Sequence, residues 1–184
     1  MQEAFQVSVR ALVAFRWFCP DILPASQLGD LAAGAQAHRA RQGRQKGTAE
    51  LPIKWTYCVM GARITLHGRM DAFTPGEVPL VEEIKLSSRP PDEPLPEHRA
   101  QAVCYAAMTA LRQPCPSVRV RICYVDVQGG VLAAFEEEAS AQSLAREMDA
   151  LLRPYAAYAL RERAHARQRD ESIRALGFPF DNYR

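Results

Sequence analysis

The sequence predicts an α/β fold with a mixed central sheet, an antiparallel meander plus a parallel crossover strand, flanked by helices. Three observations predict it. Alternating apolar and polar residues, the period of a strand, run through 53–60, 63–73 and 80–87, joined by links of a few residues. A helix-length segment, 97–112, separates the third run from a fourth at 118–125, which permits a parallel crossover. Apolar residues at helical spacing mark both ends of the chain, so helices are expected to cover the sheet.

Taken in order, residues 7–18 set apolar groups around Arg10 and Arg16 at helical spacing, with Ser8 placed to cap the helix and Cys19-Pro20-Asp21 to end it. A second helix is expected over 26–41. Its centre, Gly34-Ala35-Gln36-Ala37-His38, is small enough to lie close on a sheet. The basic run Arg39, Arg41, Arg44 and Lys46 is most simply a solvated face; beside an active site it would steer a phosphate backbone. Gly61-Ala62 turns the first strand into the second, and Thr74-Pro75-Gly76 turns the second towards the third. Pro90, Pro91, Pro94 and Pro96 make 88–96 a stiff irregular loop. The helix over 97–112 carries Gln101 and Tyr105 one turn apart and is stopped by Pro114 and Pro116. Gln128-Gly129-Gly130 turns the fourth strand into a last one at 131–136. From Ala139 a long helix is expected on the stripe Leu144, Met148, Leu151, Leu152 and Tyr155, kinked at Pro154. Residues 161–171 are strongly charged with little to bury, and read as a projecting helix end or connector. The apolar 175–180 and the ending Asp181-Asn182-Tyr183-Arg184 read as a chain that continues.

At 184 residues with net charge +2, one domain is the default, and no polybasic tail serves as the main binding device. No run approaches the roughly 18 apolar residues of a membrane span. Residues 1–10 mix acid, base and polar groups, unlike a signal peptide. A cytoplasmic location with no membrane partner is expected. The five cysteines, Cys19, Cys58, Cys104, Cys115 and Cys123, show no Cys-x2-Cys spacing and read as reduced, mostly buried thiols.

The chemistry concentrates between Gly68 and Lys85. Asp71 falls near the end of one strand; Glu83 and Lys85 are two apart on the next and share a face, with Glu82 on the other face and without a role. Two acids and a lysine on one side of a sheet are unfavourable to bury, because like carboxylates repel, and a divalent cation relieves the repulsion. A solvated strand face is the ordinary alternative for so short a pattern.

Four pieces then fit together: Gly34-Ala35-Gln36-Ala37-His38, Gly68-Arg69-Met70-Asp71, Glu83-Ile84-Lys85 and Gln101-Ala102-Val103-Cys104-Tyr105. In that order, on those elements, the chain resembles the PD-(D/E)xK nuclease superfamily, in its RecB-like exonuclease branch, over roughly residues 5–150. The resemblance implies a restriction-endonuclease-like fold and Mg²⁺- or Mn²⁺-dependent hydrolysis of DNA phosphodiesters. It implies Asp71, Glu83 and Lys85 as catalytic residues; His38, Asp71, Glu83 and the Ile84 carbonyl as metal ligands; and Gln101 and Tyr105 as supports of the site or contacts to the DNA backbone. Relatives with an iron–sulfur cluster use three late cysteines; none follows Cys123 here, so no cluster is expected. The opening Val7-Ser8-Val9-Arg10-Ala11-Leu12-Val13 and the ending Phe178-Pro179-Phe180-Asp181-Asn182-Tyr183-Arg184 also resemble the edges of the nuclease domain that precedes a bacterial DinG-type DNA helicase. With no Gly-x4-Gly-Lys-Ser/Thr loop, the chain has no ATPase signature of its own. That likeness implies a nuclease domain over 1–152, a helical connector and linker over 153–184, and a helicase motor as partner in DNA repair or processing. The alternatives are a catalytically silent DNA-binding clamp of the same fold and a pure interaction module for the motor.

Overall fold

The computed structural model describes residues 2–17, 27–43 and 47–176. Cys19-Pro20-Asp21, Ser26, Arg44, Lys46 and the ending from 177 lie outside the described residues, and so do the expectations placed on them. The elements run β1 (Ala4–Ser8), α1 (Val9–Trp17), α2 (Gln27–Gln42), β2 (Thr48–Val59), β3 (Ala62–Thr74), β4 (Leu80–Leu86), α3 (Pro96–Arg112), β5 (Ser117–Val125), β6 (Val131–Ser140) and α4 (Ala141–Ala175).

The expected mixed α/β architecture is present. β2, β3 and β4 form the antiparallel meander, β5 lies parallel to β4 across α3, and β6 returns antiparallel to β5. Met60 and Gly61 both take positive φ, 51° and 76°, which is what a two-residue hairpin with the strands' own twist requires. α3 is buried from Ala100 to Thr109 on every face. Its small residues Ala102, Ala106 and Ala107 let it sit between the sheet and the helices α1 and α4. On the opposite face α2 sets Ala37 against Ile84, Cys123 and Val125, a second, smaller core.

The sequence reading missed one strand. Residues 7–18 read as a single helix, but Ala4–Ser8 is a strand, with Phe5 and Val7 turned inward, and the helix begins at Val9. Five residues are too few for a period of two to stand out beside a helical pattern. Ser8 does cap α1, its Oγ accepting the Ala11 N–H at 3.1 Å. Two strands are also longer than expected. β2 starts at Thr48 because it pairs with β3 along its whole length; as an edge strand it tolerates Pro52. β6 continues through Glu136, Glu137 and Glu138 because β5 opposes them with Arg119 and Arg121, Arg119 lying 3.4 Å from Glu136. α4 begins at Ala141, with Ser140 as N-cap, and remains helical through Pro154. Its charged part returns to the start of the chain, where Arg163 and Arg167 meet Glu3 and Arg163 lies over Phe5.

β1 matters because of where it pairs. β2 occupies one edge of β3 from Ala62 to Phe73. A strand has two edges, so β1, paired with Arg63–His67, and β4, paired with Ala72–Thr74, share the other. Residues 68–71 therefore face a gap in the sheet.

Candidate metal centre and its cleft

Asp71 stands at the lip of that gap. The β3–β4 ladder ends at Ala72 and Glu82, and the next free donor on β4, the Ile84 N–H, goes to Asp71 Oδ2 at 2.8 Å. The carboxylate thus takes the place of a ladder bond where the strands part, and it is only 4% exposed. Its other oxygen, Oδ1, lies 3.5 Å from His38 Nδ1, delivered from α2. Burial alone would depress the His38 imidazole; the hydrogen bond and charge of Asp71, helped by the charge of Glu83, outweigh it, and the pKa stands above its ordinary value.

Glu83 and Lys85 share the α3 face, as their spacing predicts. Lys85 Nζ is 2.8 Å from Glu83 Oε1. The contact is close but its angles are poor, and neither Glu83 oxygen has a regular hydrogen bond among the described residues. Glu83 is 1% exposed. Burial pushes its pKa up, Lys85 pulls it back, Asp71 pushes it up again, and the result is about 7. Glu82, on the other face, is buried between Arg41 and Arg121, each at 3.2 Å. It ties α2 to the sheet.

Gln101 and Tyr105 hold this arrangement from α3. Lys85 Nζ donates to Gln101 Oε1 at 3.0 Å. The Tyr105 ring packs against Gly68 in the gap on the β3 edge, with its hydroxyl towards the Gln101 side chain and the Arg69 backbone. A Cβ at Gly68 would lie 2.7 Å from Tyr105 Cε1 and Oη. Tyr105 is buried, and its ring would have to shift to admit the Cβ. Gly68→Ala should lose about 1–3 kcal/mol in urea unfolding, and Gly68→Ala/Tyr105→Phe should recover part of it.

One acid near the metal position was not legible beforehand. Glu50 sits between the Ala49–Ala72 and Leu51–Met70 pairs, across from Asp71, with φ of +53°. One ligand atom each from His38, Glu50 and Asp71 lie within 4.8 Å of one another. Gln42 clamps this corner, its Nε2 donating to Glu50 Oε1 at 3.1 Å and to the Asp71 carbonyl at 2.9 Å. Arg69 holds Glu50 Oε2 at 3.3 Å. Of the expected ligand set, His38 and Asp71 belong to this group of three. Glu83 stands apart from it with Lys85, and Ile84 enters through its N–H. A left-handed residue inside a strand leaves no period in the sequence, so nothing at Glu50 announced it.

The donor set fits a hard divalent cation. It offers carboxylate oxygens and one imidazole, which suit Mg²⁺ and Mn²⁺, and beside it stands the fully buried carboxylate of Glu83, which Lys85 approaches without a regular hydrogen bond. Cavities of about 260 and 480 Å³ open in front of it. Arg10, Arg39 and Arg69 line the larger one, a basic rim around an acidic floor.

No family model and no curated protein matches the chain. Among solved structures, the crystal structure of SSO0001 is similar, with a TM-score of 0.53 at 19% identity, covering 80% of this chain and 75% of that one. At that identity the likeness shows the fold alone. No helix among the described residues is long and apolar enough to cross a membrane.

Proposed function

We propose that the chain is a Mg²⁺- or Mn²⁺-dependent nuclease domain of the PD-(D/E)xK type that hydrolyses DNA phosphodiester bonds, working beside a helicase motor. The observation that carries the reading is the contact of His38 with Asp71 at the gap between β1 and β4, beside the Glu83–Lys85–Gln101 cluster whose Glu83 charge acts on His38. A bound divalent ion would supply charge neutralisation for the phosphate and acidify a water. His38, Asp71 and Glu83 would hold it, with Glu50 in reach of the same position.

The remaining work falls to the chain's own groups. Lys85, fixed by Gln101 and Glu83, presents an ammonium that orients a water and offsets charge on a phosphate oxygen. Arg10, Arg39 and Arg69 draw the polyanion towards the cleft and hold its backbone. Gln101 and Tyr105 act through Lys85 and are positioning residues. A silent clamp of the same fold would not need Lys85 held by Gln101 and Glu83.

End-labelled linear and circular single-stranded DNA incubated with Mn²⁺ tests the reading. Cleavage by the parent is expected to fall by about 10²–10³ in Lys85→Ala, with DNA binding retained. Equal cleavage by the two proteins, or binding without metal-dependent cleavage, would remove the nuclease and leave the clamp. Attack on the circle would show that no free end is needed.

A further inference from the structure

A third chamber, of about 360 Å³, lies between α1 and the start of α3. Lys85 and Gln101 line it, and Arg10 belongs both to it and to the two cavities of the metal cleft. A strand whose phosphate lies at Lys85 would therefore have its neighbouring nucleotide here. The volume is at the lower end of the range, about 300–1,000 Å³, that accepts a small ligand.

Three of its lining residues have the chemistry of a nucleotide site. Arg10 is exposed and has no ion-pair partner among the described residues. Trp17, one helical face further along α1, is 40% exposed; its neighbour Phe15 packs on Tyr155 and Tyr158, whereas Trp17 meets no ring among the described residues. His98 Nδ1 lies 2.9 Å from the Tyr124 hydroxyl, which accepts the Leu95 N–H at 3.0 Å. In the tautomer that takes the Tyr124 proton at Nδ1, the imidazole carries its own proton on Nε2, which has no hydrogen-bond partner among the described residues. Burial lowers the His98 pKa to about 4, with the charge of Lys85 acting in the same sense, so the neutral form persists near pH 7. Glu97 is the carboxylate on this wall; it stands in the first turn of α3, where the helix N-terminus offsets its charge.

We propose that this chamber is the subsite for the nucleotide next to the scissile phosphate, with Arg10 and the His98 Nε2–H on its phosphate and Trp17 stacked on its base. The assignment rests on the nuclease reading for its orientation along the strand. Stacking on Trp17 needs an unpaired base, so the substrate at this position is a single strand or a frayed end.

Trp17 and Trp55 are the two tryptophans of the chain, so Trp55→Phe leaves Trp17 as the reporter. Titrating that protein with oligothymidylate in EDTA is expected to quench Trp17 fluorescence, while a blunt duplex of the same length quenches it far less. By anisotropy, Trp17→Ala should weaken single-strand binding by about fivefold or more. Arg10→Ala should reduce the slope of log K against log salt by about 0.7, one phosphate contact on a single strand. His98→Ala should weaken binding, and His98→Gln, which keeps an N–H at the same reach, should restore most of it. Bound oligonucleotide with no quenching, affinity unchanged in Trp17→Ala and Arg10→Ala, or no binding at all would overturn the subsite. A protein that quenches but never cuts with Mn²⁺ loses the nuclease and keeps the chamber; one that cuts without quenching does the reverse.

Discussion

Metal-free Glu83→Gln protein is expected to be more stable than the parent at pH 8, by roughly 3 kcal/mol, with the advantage disappearing near pH 4. The cause is a carboxyl group buried at 1% exposure whose pKa rises from 4.5 to about 7 on folding; each pKa unit is worth about 1.4 kcal/mol. The sign follows from proton uptake. Below pH 4.5 the carboxyl is protonated in both states and folding gains nothing from it or loses nothing to it. Between 4.5 and 7 the unfolded chain releases the proton while the folded one keeps it, so parent stability falls as pH rises. Above 7 the folded protein holds a buried carboxylate and the full penalty is present. Glutamine removes the dependence and keeps the volume. Mn²⁺ at a thousand times its Kd should invert the order, since an ion bound only by the folded parent then adds about 4.1 kcal/mol. Urea unfolding in EDTA and in Mn²⁺, at pH 5 and pH 8, measures all of this. A variant less stable than the parent at pH 8 without metal would show that Lys85 fully compensates Glu83, leaving no electrostatic demand for a cation.

Asp71 separates two roles that most single residues confound. Asp71→Asn keeps an acceptor for the Ile84 N–H and removes the charge beside His38; Asp71→Ala removes both. Metal-dependent cleavage is expected to drop by about 10²–10³ or more in each. Stability should separate them: Asp71→Ala leaves a buried N–H without its partner and loses a further 1–3 kcal/mol or so relative to Asp71→Asn. In Asp71→Asn the His38 pKa should fall, because the group that outweighs its burial is gone; an NMR titration of the imidazole reads it directly. Cleavage retained by Asp71→Asn would sever the acid from the chemistry.

Much of this site was legible because its residues sit on regular elements. Glu83 and Lys85 share a face by strand alternation, Gln101 and Tyr105 by helical spacing, and the structure brings Lys85 to Gln101 at 3.0 Å. Gly68 was visible as part of a pattern, but its reason, the Tyr105 ring lodged against it, depends on a contact thirty-seven positions away along the chain. The gap itself was not legible. It arises because β1 and β4 share an edge of β3, and the sequence shows no strand at 4–8, where the helical pattern from residue 7 overlaps its end. Glu50 depends on a single left-handed residue, and His98 on a hydroxyl from β5. Each of these is set by long-range packing, which periodicity along the chain does not encode.

The most direct test of the centre is Mn²⁺ uptake, followed through the electron paramagnetic resonance signal of the free ion. Parent protein is expected to silence Mn²⁺ stoichiometrically, and Asp71→Asn and Glu83→Gln to lose that uptake while remaining folded. Mn²⁺ bound equally by all three proteins, or by none of them, would contradict a cation held between these carboxylates.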